Sequence, residues 1–193
     1  MVKFICKLLT FWLPVPRRTR KSLRSRLLSW FRARMIGSGV KVGKSVRFYY
    51  PSHFTSGSEI GDWCMINGVR VVGKGKVRVG KHTGIAWDVL IHTSSHNYEG
   101  DWLPFALEDN MIKDVEIGDF VWVGSNVVIL PGTKIGEGAI IQGGSVVHGE
   151  IPPLAIAGGN PAKVFKMRDA ERFARLKAEG RYYKHSQGSW WGN

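Results

Sequence analysis

Apolar side chains recur every six residues through the middle of the chain. Ile117, Val123, Ile129, Ile135, Ile141 and Val147 keep the beat strictly. With 44% of the chain apolar, six hits at one chosen spacing have a chance of under about one in a hundred. Upstream the beat runs through Ile36, Val42, Phe48, Phe54, Ile60, Ile66 and Val72, slips by one residue, and resumes at Val79, Ile85 and Ile91. Six is neither the 3.6 of a helix nor a plain strand alternation. It is an internal repeat.

Glycine often follows the beat residue, as at Gly61, Gly80, Gly118 and Gly136, and two positions before the next beat the side chain is small, as at Ser58, Cys64, Val121, Thr133 and Ser145. Residues two apart on a strand share a face, so the small residue and the next aliphatic both point inward. Glycine, Asn or Asp at the intervening turn tolerates the positive φ of a sharp corner. One short strand and one corner per six residues, three units to a coil, predict an all-β solenoid. Its stacked coils bury a continuous aliphatic column.

The beat fails over residues 92–116, HTSSHNYEGDWLPFALEDNMIKDVE. A long excursion from a regular scaffold is where function concentrates. After residue 147 the IPP triplet at 151–153 ends the coils, residues 157–168 read as extended, and 169–177 as a short helix. The tail closes on Trp190 and Trp191, which either pack on the solenoid or join a membrane-facing surface. Three regions follow: an arm over 1–35, a solenoid over 36–168 with its loop at 92–116, and a helix and tail over 169–193.

Charge changes the picture only at the front of the chain. The net charge is +13, yet no acid precedes Glu59, and beyond it the two signs balance. The excess is a local basic arm rather than a protein-wide nucleic-acid surface, and no nucleic-acid-binding module follows it. Within the arm the apolar run 8–13 is too short to span a bilayer and lacks a signal-peptide cleavage site. Residues 17–34 read as a cationic amphipathic helix with Leu23, Leu27, Trp30 and Phe31 on one face. Two readings fit: contact with an anionic membrane through residues 1–34, or a cap on the first coil with a solvated basic side. Two cysteines, Cys6 and Cys64, far apart in sequence, give no disulfide framework. A cytoplasmic site is expected, peripheral on the inner face of the cytoplasmic membrane if the arm binds lipid.

The repeat resembles the hexapeptide-repeat acyltransferases, whose pattern is an aliphatic, then glycine, with a small residue four after the aliphatic. That family folds as a left-handed parallel β-helix, an exception to right-handed crossovers. The resemblance covers residues 36–168 and extends to the polysaccharide or lipopolysaccharide O-acetyltransferase type, relatives of the galactoside and maltose acetyltransferases. In such enzymes a protruding loop carries a general-base histidine, a role that falls on His96 of SSHNYEGD. Imidazole suits the work, because a sugar hydroxyl must lose its proton as it attacks a thioester near neutral pH. The galactoside enzymes have proline after this histidine; Asn97 stands here, and the polysaccharide-type relatives have similar His-Asn/Asp-Tyr loops.

The block GDFVWVGSNVVILPGTKIGEGAIIQGGSVVHGEIPPLAIAGGNPAKVFK is similar to the family's acetyl-coenzyme A segment. The resemblance implies that Trp122 lines the cofactor channel, Ser125 contacts the cofactor, and Gly143 lets the pantetheine arm lie close to the coil. Lys163 and Lys166, in and after NPAKV, match basic positions near the nucleotide phosphates. Asn67 either contacts substrate or is a corner residue accepting positive φ. Trp87 and Asp88 at another corner are candidates for an acceptor pocket. The implied activity is an acetyl-coenzyme A-dependent O-acetyltransferase, without metal, acting on a sugar hydroxyl of a surface polysaccharide or its precursor. The implied assembly is a homotrimer with sites between neighbours. Alternatives are a small-sugar or nucleotide-sugar acetyltransferase, a non-catalytic trimeric scaffold, and a γ-carbonic-anhydrase-like zinc enzyme. The zinc reading would use His92, His96 and either His53 or His82, but leaves the coenzyme A block unexplained.

Overall fold

The computed structural model describes residues 36–182. Within them each beat becomes a short strand and each interval a corner, and successive coils pair in parallel. Lys41–Val42, Glu59–Ile60, Val77–Val79, Val115–Ile117, Lys134–Ile135 and Glu150–Ile151 stack in that order as one six-stranded sheet, the first face of a six-coil solenoid. Met65–Val72 and Gly84–His92 turn a corner midway. Their beginnings lie on the second face, where Gly84 and Ile85 pair with Trp122–Val123. Their ends lie on the third, where Leu90 and Ile91 pair with Val128–Ile129. In the regular coils Trp122 stacks on Ile140, eighteen residues on, which is three sides of six. This parallel stack is consistent with the left-handed coil.

The beat residues fill the bore. Ile129 and Val147 are fully buried, as are the small residues Ala139, Val127 and Ser58. Each aliphatic so removed from water contributes about 1.5–3 kcal/mol. Two positions depart from the expected beat. Val42, in the terminal coil, is half-exposed, and Val72 is 43% exposed while Val71 beside it is 3% exposed and stacks on Ile91. The beat therefore loses one residue at the register shift after Ile66, where Gly68 takes a positive φ of 80°, and spans eight rather than six from Val71 to Val79.

Buried hydroxyls do not weaken this column, because corner backbone satisfies them. Ser58 Oγ accepts from Val77 N at 3.0 Å, and Thr83 Oγ1 donates to Gly118 O at 2.8 Å. Cys64 Sγ donates to Gly80 O at 2.9 Å, and burial pushes this thiol up to about 12. Along the corner between first and second faces the coils approach closely. A Cβ built on Gly80 would lie 2.4 Å from the Gly118 carbonyl carbon, so only glycine fits.

The excursion is an antiparallel hairpin, Ser94–Asn97 against Ala106–Ile112, leaving the corner between third and first faces. Beyond the coils Ala155–Gly159 pairs antiparallel with Ala162–Met167. Helix α1, Ala170–Ala178, follows, one residue off the expected span; Asp169 caps it by accepting from Arg172 N at 2.9 Å. Among the described residues no helix is long and apolar enough to cross a membrane. The basic arm over 1–35 and the Trp190–Trp191 end lie outside the described residues.

Candidate active site

Strand alternation builds a cleft on the second face. Ile66, Ile85, Val123 and Ile141 point into the bore, so Met65, Gly84, Trp122 and Ile140 form an outward row in register. Gly84 interrupts this row: a Cβ there would meet only the end of Met65, at 3.9 Å. The resulting trough of about 510 Å³ has a floor of Gly84, Ala86, Gly124 and Ser125, between walls that include Tyr49, Trp87, Trp122 and Phe120. An apolar cleft of this size with a few fixed polar atoms suits a small ligand or part of a larger one.

Of the expected site residues, Trp122, Ser125 and Asn67 meet in this trough. Trp122 is 52% exposed, so it does not serve to pack the solenoid. Asn67 Nδ2 donates to Ile85 O at 3.1 Å, while its Oδ1 is buried and has no hydrogen-bond partner among the described residues. A donor on a ligand would satisfy that acceptor. The alternative of a positive-φ corner asparagine does not hold, since Gly68 takes that conformation and Asn67 does not. Asp88, with Asn126 one coil on, does have positive φ, 54° and 56°. Ser125 Oγ accepts from Trp87 N at 3.4 Å, tying the two walls of the corner together.

Gly143 lies one coil beyond, outside the trough lining, against the next corner. A Cβ on Gly124 would fall 2.5 Å from Gly143 N, and Gly144 N donates to Ser125 O at 2.8 Å. This glycine pair keeps the corner low, which leaves backbone open to an extended ligand. Lys163 and Lys166 are exposed on Ala162–Met167 at the end of the stack, apart from the trough. Arg168 is the cation that lines it, held by a 2.7 Å hydrogen bond from Nη1 to Gly138 O.

The sequence reading missed a column of rings on the flank. Trp63, His82 and Phe120 occupy one corner of three successive coils at φ of 63°, 54° and 55°. Positive φ in such bulky residues costs on the order of 1 kcal/mol or more each. Near-parallel stacking at coil spacing offsets it: His82 and Phe120 lie 5.1 Å apart at 5°. Tyr182 closes on His82 at 4.2 Å, and Phe173 of α1 meets Phe120 edge-on. The signal was legible, because each ring stands three after a beat residue, Ile60, Val79 or Ile117.

His96 is not in this trough. Its hairpin springs from the corner between the third and first faces, opposite the second, and no described residue of 92–116 lines the trough. The turn after it is closed by Asn97, whose Oδ1 accepts from Glu99 N at 3.0 Å. His53, His82, His92 and His96 do not gather; among the described residues no three His, Cys, Asp or Glu side chains are grouped to hold a metal.

Residues 114–149 match the family model described as bacterial transferase hexapeptide (six repeats). The hexapeptide-repeat acetyltransferase VCA0836 of Vibrio cholerae, solved with acetyl coenzyme A, superposes with a TM-score of 0.63, 26% identity, and coverage of 87% of this chain and 86% of that one. In that segment and in its coiled fold the chain is similar to hexapeptide-repeat acetyltransferases. Two curated relatives show how much is shared. A putative acetyltransferase of Bacillus subtilis (strain 168), YvoF, is 37% identical over 102 residues, 53% of this chain and 54% of its own. A chloramphenicol acetyltransferase of Klebsiella aerogenes is 43% identical over 70 residues, 36% of this chain and 33% of its own. The chain thus spans about half or less of the length of the curated relatives it matches.

Proposed function

We propose that this chain is an acetyl-coenzyme A-dependent O-acetyltransferase whose acceptor is a sugar hydroxyl, in a surface polysaccharide such as lipopolysaccharide or its precursor. The observation that carries this reading is the trough on the second face, with its small-residue floor, Trp122 wall and the orphaned acceptor of Asn67. In the reaction His96 takes the hydroxyl proton as the oxygen attacks the thioester carbonyl. The C–S bond then breaks, and the coenzyme A thiolate recovers the proton from the imidazolium. Holding both substrates together removes any need for a covalent acyl-enzyme. Aromatic walls at Tyr49, Trp87 and Trp122 suit the C–H faces of a sugar ring. The polysaccharide class rests on the SSHNYEGD loop and the basic arm.

Within one chain the base and the trough lie on opposite sides of the solenoid, so a second copy must bring them together. A homotrimer meets this need, each hairpin reaching the second face of a neighbour. The test pairs two single-site variants, His96→Ala and Gly84→Trp, the latter filling the trough floor. Each alone should fail to transfer label from acetyl coenzyme A. Co-expressed, they should regain transfer, because mixed oligomers contain sites built from one intact trough and one intact hairpin. A co-expressed mixture as dead as either parent sinks the shared site. The acceptor panel spans lipid-linked glycans, free sugars and nucleotide sugars. It includes chloramphenicol, since the Klebsiella relative favours a second reading, a small non-sugar alcohol as acceptor.

A further inference from the structure

The hairpin carries a feature that the resemblance did not suggest. Its register jumps at the candidate base: Ser95 pairs with Met111, and the next pair is Asn97 with Ala106. His96 alone therefore faces the four residues 107–110 on the opposite strand. Bulges next to active sites serve to re-aim a side chain, and here the bulge delivers one. Asn110 Oδ1 lies 2.8 Å from His96 Nδ1, fourteen residues away in sequence. On the ring face Phe105 stacks 4.1 Å from the imidazole, at 6°. The hairpin is braced for this. Ala106 is buried, and a Cβ built on Gly100 would lie 2.6 Å from the Ala106 Cβ, so the turn closes tightly only with glycine there.

We propose that Asn110 and Phe105 are positioning residues that fix the tautomer and plane of His96, making Nε2 the basic atom of the site. This inference rests on the reading of His96 as general base. The chemistry follows from which atom faces the ring. An amide oxygen can only accept, so a hydrogen bond from Nδ1 to Oδ1 keeps the proton on Nδ1 and leaves a lone pair on Nε2. The reversed amide would donate to Nδ1, put the proton on Nε2, and disable the outward nitrogen as a base. Nε2 has no hydrogen-bond partner among the described residues and is free to meet a hydroxyl carried by another molecule. Phe105 adds the second constraint, since a ring stacked at 4 Å cannot rotate about its own axis without losing that contact. One hydrogen bond and one stacked face hold the ring from two directions. Oriented bases gain rate in this way, because a misplacement of an ångström costs about a hundredfold.

The test reads the tautomer directly. In full-length protein labelled with 15N-histidine, the His96 signals are assigned by their loss in His96→Ala. In the neutral ring of the native protein, the proton should reside on Nδ1. In Asn110→Ala it should shift toward Nε2, and kcat should fall about ten- to a hundredfold with the KM for acetyl coenzyme A unchanged. Asn110→Asp, which still accepts from Nδ1, should restore the Nδ1–H tautomer and most of kcat. Phe105→Ala should lower kcat while leaving the tautomer in place. An Nε2–H tautomer in the native protein overturns the proposal, as does a tautomer indifferent to Asn110→Ala. If His96→Ala keeps full activity, the general-base reading fails instead, and the nitrogen spectrum still decides whether the clamp exists.

Discussion

The coils and the hairpin solve the same problem, fixing a side chain in space, by opposite means. In a coil every residue is set twice, by its own strand and by the equivalent residue one coil away; Val123 stacks between Ile85 and Ile141. Errors at one position are absorbed by its neighbours above and below. His96 has no equivalent among the described residues. It is held by two side chains, Asn110 and Phe105, both outside the periodic scaffold. Periodic structure supplies stability and the trough, and the aperiodic hairpin supplies the candidate base. Substitutions should therefore sort cleanly by region.

The sharpest division is between activity and stability. His96→Ala should lower kcat by about 10²–10⁴-fold, the range of general-base catalysis. Melting temperature and coenzyme A binding should stay at the native values, since His96 is exposed and outside the trough. Transfer assays beside thermal unfolding check both halves at once. A variant that melts early would mean the hairpin supports the coils, and the division would collapse. Ile129→Ala reverses the pattern. The residue is fully buried between Ile91 and Val147, so the cavity should cost about 2–5 kcal/mol of unfolding free energy. Urea titration measures it, and kcat of the surviving folded protein should change little.

This contrast also explains what could be read from sequence. The beat, the small inward residues and the corner glycines report a constraint repeated in every coil, so each instance supports the others. The solenoid and the position of its excursion followed from that. Val72 misled because a one-residue slip is invisible when Val71 and Val72 are equally apolar; only the Gly68 corner decides which faces in. The partnership of Asn110 with His96 was beyond reach, since a bulge obeys no period. Arg168 was passed over for Lys163 and Lys166 because a motif gives residue types but not the fold-back of the strand that carries them.

A smaller effect tests whether the bore is as dry as its burial implies. Cys64 is fully buried, and desolvation pushes its thiol up to about 12. At pH 8 it should remain protonated and resist alkylation in the folded protein, then react promptly in urea, with peptide mapping separating it from Cys6. The folded thiol titrates above the unfolded one, so its contribution is intact below pH 9 and fades as pH rises towards 12. Rapid alkylation of native Cys64 would mean the coils part often enough to admit solvent.

The smallest effect belongs to the outside of the same coils. Along the first face Lys41, Glu59, Arg78, Glu116, Lys134 and Glu150 stand one above another with alternating sign. Ion pairs link Lys41 to Glu59 at 2.9 Å and Arg78 to Glu116 at 3.8 Å, and the first holds the Glu59 carboxyl below its usual range. Parallel stacking brings like positions together, so an unbroken column of one sign would repel itself; alternation removes the conflict. Glu116→Lys would set three cations in a row at Arg78, position 116 and Lys134. In water such exposed charges are worth little, and the cost should be about 1 kcal/mol or less, shrinking as salt rises from about 0.05 to 0.5 M. Urea titration at both salt concentrations measures it. A loss rivalling that of Ile129→Ala, and indifferent to salt, would mean that the first face is not solvated in the assembled protein. The tidy opposition of dry bore and wet exterior would then fail on the first face.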